Sequence, residues 1–332
     1  MSLYRAETRR LVKRRFTRFF VLLALLALGL IAAGVAYSNH KATPEVIATA
    51  QADADRSYER DVQTAERDRQ NCATSPEQYG GDCANLWTPS RDDYRAVNYM
   101  PSQFDFRENY PAMLITLAAL LALVAFIIGA SFVGAEWSSG GMMNLLLWRP
   151  QRIRVLSTKL AALLVSSLGL AVLAGAAWTG LFWLIANLRG TTERMTPGAW
   201  QSIGLMGLRG LGLVLVAGAL GFGLASLGRH TAAALGAAIG VVVVFQFGLA
   251  IVLELAKARF YEAYLLPSWI AAWMFKSYEV TDYNAPCDFS ATSGCEPPTL
   301  TITWQLAGGV FAAVAIIIVG AAMLTMRKRD IT

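Results

Sequence analysis

The sequence predicts an all-α polytopic membrane protein. It has six transmembrane helices, both termini cytoplasmic, a small extracellular cap, and short re-entrant outer helices before helix 6. Three observations carry this. Of the 332 residues, 55% are hydrophobic and 16% charged, against about 25% charged in a soluble domain, and the mean hydropathy is +0.43. A single soluble core stops growing near ~250–300 residues, so a soluble globule is excluded. A disordered chain is excluded by the same composition, and a transmembrane β-barrel by continuous rather than alternating apolar runs. Six apolar segments each approach the ~20 residues that cross a bilayer. Finally, basic residues and cysteines fall into opposite sets of loops.

Residues 1–18 carry seven basic residues and precede the first span, 19–37. Its 19-residue apolar stretch exceeds the ~7–15 residues of a signal-peptide core, so it is read as a helix that stays. Residues 38–111 form an outer loop of 74 residues, too long to be structureless. Within it, Pro44–Asp68 reads as a helix: Pro44 suits a helix start, and Ile47, Ala50, Ala54, Tyr58, Val62 and Ala65 recur at three- and four-residue steps. The second span is 112–135, followed by a cytoplasmic loop at 136–159 and a third span at 160–187. A short outer loop, 188–201, leads to the glycine-rich fourth span, 202–228, and a tight turn to the fifth, 231–253. The outer stretch 254–300 follows, then the sixth span, 301–326, and a tail, 327–332.

With the N-terminus inside, the cytoplasmic pieces hold 15 of the 29 Lys/Arg and three of the 23 acids, the asymmetry expected of cytoplasmic flanks. The pI near 9.2 is thereby a topology signal. The basic residues form no single patch with interleaved aromatics, so no nucleic-acid partner is expected. Cys72, Cys83, Cys287 and Cys295 all lie in outer loops, as oxidising compartments favour. Of the three pairings, the local one, Cys72–Cys83 with Cys287–Cys295, is preferred. The rival pairing staples the two outer loops together. A zinc site lacks CxxC spacing.

Between Phe260 and Phe275, ten apolar or aromatic residues crowd around Pro267. This reads as two short helices dipping into the outer leaflet, or as a headgroup anchor. Trp269 and Trp273, with Arg209 and Glu254 at outer helix ends, are candidate outer-gate residues. Snorkelling to headgroups is the alternative for the two charges.

The most informative stretch runs from Gly134 to Lys159. Ser138 and Ser139 can cap a short helix, Met142, Met143, Leu145, Leu146, Leu147 and Trp148 give it an apolar surface, and Pro150 ends it. Such a helix at a basic membrane edge lies in the interface or docks into a partner's groove. The pattern Glu136-x-x-x-Gly140, Leu145-Leu146, Arg149-Pro150-x-Arg152 and Lys159 resembles the loop after helix 2 in permease subunits of type-2 ABC exporters. The basic stretch with Glu7, Leu11 and Lys13-Arg14-Arg15 resembles the family's amphipathic connecting helix.

The resemblance implies a coupling helix that fits a cleft on a separate ATPase subunit, with Glu136, Met142, Met143, Leu145, Leu146 and Arg149 as the contact set. It implies a second permease subunit, identical or homologous, and a bacterial plasma membrane. No G-x-x-x-x-G-K-[ST] phosphate loop occurs in the chain. The chain is therefore no ATPase itself and is expected to bind no cofactor, with ATP and Mg on the partner. The glycine runs Gly218-x-x-Gly221-x-Gly223 and Gly236-x-x-x-Gly240 read as close helix packing.

An intramembrane enzyme is disfavoured: the two histidines, His40 and His230, lie outside the spans, and there is no H-E-x-x-H. An ion-coupled carrier would need ionisable residues at mid-membrane, where these spans have none. The expected cavity is apolar, lined by candidates Phe126, Phe132, Phe245, Gln246 and Phe247, for a lipid, drug or peptide. The runner-up function is a substrate-sensing, resistance-signalling membrane subunit paired with an ATPase.

Overall fold

The computed structural model describes residues 3–80, 83, 85–142, 151–282, 284–285 and 297–328. Six of the described helices are long and apolar enough to cross a membrane. The chain divides into two compact units. The first comprises residues 1–30, 110–180 and 196–332; the second comprises 31–109 and 181–195.

In the first unit, α1 (Leu3–Lys13) is amphipathic, burying Glu7 and Leu11 one turn apart. The backbone breaks at Arg14 and continues as α2 (Arg15–Ser38). Two long helices follow, α4 (Phe106–Ser138) and α5 (Arg152–Arg189). Both exceed the expected spans, so Glu136 and Lys159 lie inside helices rather than in a loop. The reason is that their charges are paired and buried, as described below. α6 (Pro197–Gly228) starts with Thr196 accepting from the Ala199 N–H and Pro197 in its first turn. It packs so closely on α4 that a Cβ on Gly221 would stand 2.1 Å from the Phe126 carbonyl oxygen. The Gly218–Gly223 run is therefore a packing ridge. Gly236 and Gly240 have no heavy atom within 4 Å of a Cβ position, so that pair packs closely on nothing among the described residues.

α7 (Thr231–Leu255) is capped by His230, whose Nδ1 accepts from the Ala232 N–H at 3.0 Å. Its stretch Val242–Gly248 is π-helical. A single turn at Tyr261–Tyr264 and α8 (Leu266–Phe275) follow. Pro267 occupies the first turn of α8 instead of interrupting it, since a proline there sacrifices no hydrogen bond. Strands β3 (Ser277–Thr281) and β4 (Thr299–Thr303) then pair antiparallel, so α9 begins at Trp304 (Trp304–Lys328) and not at residue 301. The alternation Thr-Leu-Thr-Ile-Thr at 299–303 is a strand signal hidden by its fusion to an apolar run. Leu11 and Met326 share one buried cluster with Val133, Met142 and Leu156, so α1 and the last turn of α9 meet at one end of the bundle.

The second unit is built on α3 (Pro44–Thr74), with Thr43 accepting from the Val46 N–H and Pro44 in the first turn. Of its expected inner face, Ala50, Ala54 and Ala65 are buried, while Ile47 is exposed. Tyr94 is buried beside it, donating to Asp61 Oδ2 at 2.5 Å and meeting Tyr58 edge-on. Cys72 and Cys83 are joined by a disulfide; Cys287 and Cys295 lie outside the described residues. Strands β1 (Phe104–Asp105) and β2 (Gly190–Thr191) pair in parallel. They touch so closely that a Cβ on Gly190 would fall 2.0 Å from the Phe104 oxygen. Asp105 is buried and accepts from the N–H groups of Arg107 and Glu108. Arg194 pairs with Asp105 at 2.6 Å and with Glu108 at 2.8 Å. Hydrogen bonds to these two carboxylates push the Arg194 pKa up.

Candidate functional site

The end of the bundle where α1 meets the last turn of α9 holds a buried ionic cluster. Lys159 on α5 is wholly buried, and Glu7 on α1 and Glu136 on α4 are 2% and 6% exposed. Lys159 Nζ donates to Glu7 Oε2 at 2.7 Å. It stands 2.7 Å from Glu136 Oε2 as an ion pair without hydrogen-bond alignment. Arg14 reaches Glu136 at 3.5 Å and donates to the Ser131 carbonyl at 3.1 Å. Arg10, on the exposed side, lies 3.6 Å from Glu136 and 3.9 Å from Glu7. Lys159 Nζ and the Arg14 guanidinium lie 5.0 and 5.4 Å from the Phe132 ring centroid, within cation–π range.

This arrangement ties α1 to two long helices, within one turn of the end of α4 and two turns after α5 begins, on either side of the connection between them. Burying three charges costs several kcal/mol per ion, so the cluster is held only because each charge finds partners. It fixes the stem of the loop and the angle of α1. The sequence singled out Glu7, Glu136 and Lys159, yet their mutual contact was invisible, since Glu7 and Lys159 are 152 residues apart.

The remaining expected site residues are placed as follows. Met142 is fully buried against the Leu11–Leu156 cluster. Met143, Leu145, Leu146 and Arg149 lie outside the described residues. The five expected cavity residues do not converge. Phe132 sits beneath the cations, and Phe126 packs its backbone on Gly221. Phe245 and Phe247 are exposed on α7, and Gln246 accepts from the Leu266 N–H at 3.1 Å. An apolar cavity of ≈ 300 Å³ instead lies between α4, α5 and α6, walled by Leu117, Leu121, Gly175, Gly207 and Leu211. Sequence reasoning missed it. Its one legible signal is the run of glycines on α6.

Of the gate candidates, Arg209 and Trp273 meet: Trp273 Nε1 donates to the Arg209 carbonyl at 2.8 Å. Arg209 in turn donates to the Met274 carbonyl at 3.1 Å, at the C-terminal end of α8, where a cation is favoured. The Trp273 ring is wedged between Gly212 and Gly308; a Cβ on Gly308 would fall 2.4 Å from Cζ3. Trp269 Nε1 donates to the Ala263 carbonyl at 2.8 Å. Glu254 is exposed and joins none of them.

Six helices long and apolar enough to span a membrane, an amphipathic N-terminal helix and a buried ionic cluster define a polytopic membrane protein, and the sequence holds no G-x-x-x-x-G-K-[ST] phosphate loop. A family model described as ABC-2 family transporter protein matches residues 1–330, and the chain belongs to that family. A search of curated proteins returned no match.

Proposed function

We propose that the chain is the permease subunit of an ATP-driven exporter, working as a pair of permeases with two separate ATPase subunits that bind ATP and Mg. The observation that carries this is the buried Glu7–Lys159–Glu136 cluster. A stiff clamp between α1, α4 and α5 suits force entering at the 136–159 loop.

In this reading the loop helix docks through Leu145, Leu146 and Met143 into the ATPase, with Arg149 holding its pose, in a bacterial plasma membrane. Closure of the ATPases pushes the loop, and the clamp transmits the push to the spanning helices. The apolar spans suit a hydrophobic or amphipathic cargo: a lipid, drug or peptide. Trp269, Trp273 and Arg209 form the outer closure through α8. The test is efflux from vesicles that hold both subunits. ATP-dependent loss of an amphipathic fluorescent cargo supports export. Cargo-stimulated ATP hydrolysis with no efflux would instead assign the chain to sensing and resistance signalling.

A further inference from the structure

A groove opens beside the basic N-terminal segment. Leu11 of α1, Val21 of α2, Ile128 of α4 and Leu170 of α5 wall it, enclosing ≈ 210 Å³. Apolar space of this size stays dry and accepts hydrocarbon. The α2, α4 and α5 walls belong to helices long and apolar enough to span a membrane, so the medium that reaches the groove is lipid.

Two polar groups in its lining keep hydrogen-bonding capacity that the described residues do not use. Arg18 is exposed and spends one N–H on the Val12 carbonyl at 3.3 Å. Among the described residues it pairs with no carboxylate, unlike Arg10 and Arg14. The Ser166 hydroxyl also lines the groove and is buried without a hydrogen-bond partner. A buried unpartnered hydroxyl is destabilising, and a ligand acceptor would relieve it. An apolar slot with a hydroxyl inside and a guanidinium at its rim matches a molecule with a hydrocarbon tail, an ester oxygen and an anionic head. Guanidinium groups pair with phosphate through two parallel hydrogen bonds.

We infer that this groove binds an anionic glycerophospholipid. One acyl chain lies along Leu11, Val21, Ile128 and Leu170. An ester oxygen accepts from Ser166 Oγ, and the phosphate rests on Arg18. Bound there, the lipid joins α1 to the spanning helices on a side the ionic cluster does not reach. The inference is independent of what the chain transports.

Native mass spectrometry of the purified chain in detergent tests it, with dioleoylphosphatidylglycerol and dioleoylphosphatidylcholine titrated separately. The wild type retains the anionic lipid more strongly. Arg18→Gln weakens phosphatidylglycerol roughly fivefold, as one basic side chain at a lipid surface does, and erases the headgroup preference. Ser166→Ala adds no volume and weakens both lipids by about two- to tenfold, the loss of one hydrogen bond. Arg56→Gln, an exposed cation on α3 paired with Asp53, changes neither. Equal retention of both lipids by the wild type would overturn the inference, as would an Arg18→Gln variant with an unchanged preference. So would a wild type that dimerises over this face and binds neither lipid. No ATPase or cargo is present, so failure here leaves the exporter reading untouched, and the converse holds.

Discussion

Removing the Lys159 ammonium is the sharpest perturbation of the clamp. In Lys159→Ala, Glu7 keeps, among the described residues, only Arg10, at 3.9 Å and with its side chain 57% exposed. Glu136 keeps Arg14 at 3.5 Å and Arg10 at 3.6 Å. Glu7 is thus the stranded charge. Breaking a buried pair by removing one partner costs about 3–5 kcal/mol, and the loss of a long buried side chain adds to it. Replacing both partners with neutral groups of similar shape is far milder. The double variant Glu7→Gln, Lys159→Met should therefore recover much of the loss, with a coupling of roughly 1–3 kcal/mol in a double-mutant cycle. Reversible unfolding in mixed detergent micelles measures the cycle. Glu136→Gln paired with Lys159→Met should couple less, because two arginines remain beside residue 136. If the Glu7 and Lys159 effects add without coupling, the two side chains do not sustain each other and the clamp reading fails.

Five further outcomes are expected. Leu145→Asp with Leu146→Asp should abolish permease-stimulated ATP hydrolysis and leave the melting of the isolated permease unchanged. Met142→Asp, three residues earlier but fully buried, should lower the melting temperature, and a stable Met142→Asp would contradict its placement. Trp273→Ala should lower the melting temperature by emptying the slot between Gly212 and Gly308, and Gly308→Ala should be destabilising through the same ring. Reducing the Cys72–Cys83 bridge should cost on the order of 2–3 kcal/mol, read as faster proteolysis of residues 44–98; peptide mapping in the same sample establishes whether Cys287 and Cys295 are joined. The Tyr94 phenol is raised from 10.0 to about 12 by the hydrogen bond it donates to Asp61, with burial second. Its folded pKa lies above the unfolded one, so the stability it confers is complete below pH 10 and is lost as pH rises towards 12. Tyr94→Phe should flatten that alkaline slope, and an unchanged slope would assign the loss to other groups.

The membrane class, the number of spans and the glycine ridge on α6 were legible because they rest on composition and local periodicity, which act through neighbouring residues alone. The Pro44 helix start was legible for the same reason: Thr43 and Pro44 form a cap in any context. The family resemblance likewise rested on a contiguous stretch, Glu136 to Lys159.

Tertiary structure alone decided the rest. Lys159 looked like the end of a basic loop, yet it is buried because Glu7, 152 residues away, meets it at 2.7 Å. Whether a charge is solvated or clamped depends on what the fold brings alongside it. Phe132 carried the chemistry of a cavity wall, but two cations occupy its face. Trp273 carried the chemistry of a lipid anchor, but glycines on α6 and α9 leave a slot for its ring. The strand at 299–303 exists only because 277–281 lies beside it. Local pattern sets which segments enter the membrane, since burial of apolar surface is additive along the chain. Which polar and aromatic groups meet is a property of helix packing, and no single segment contains it.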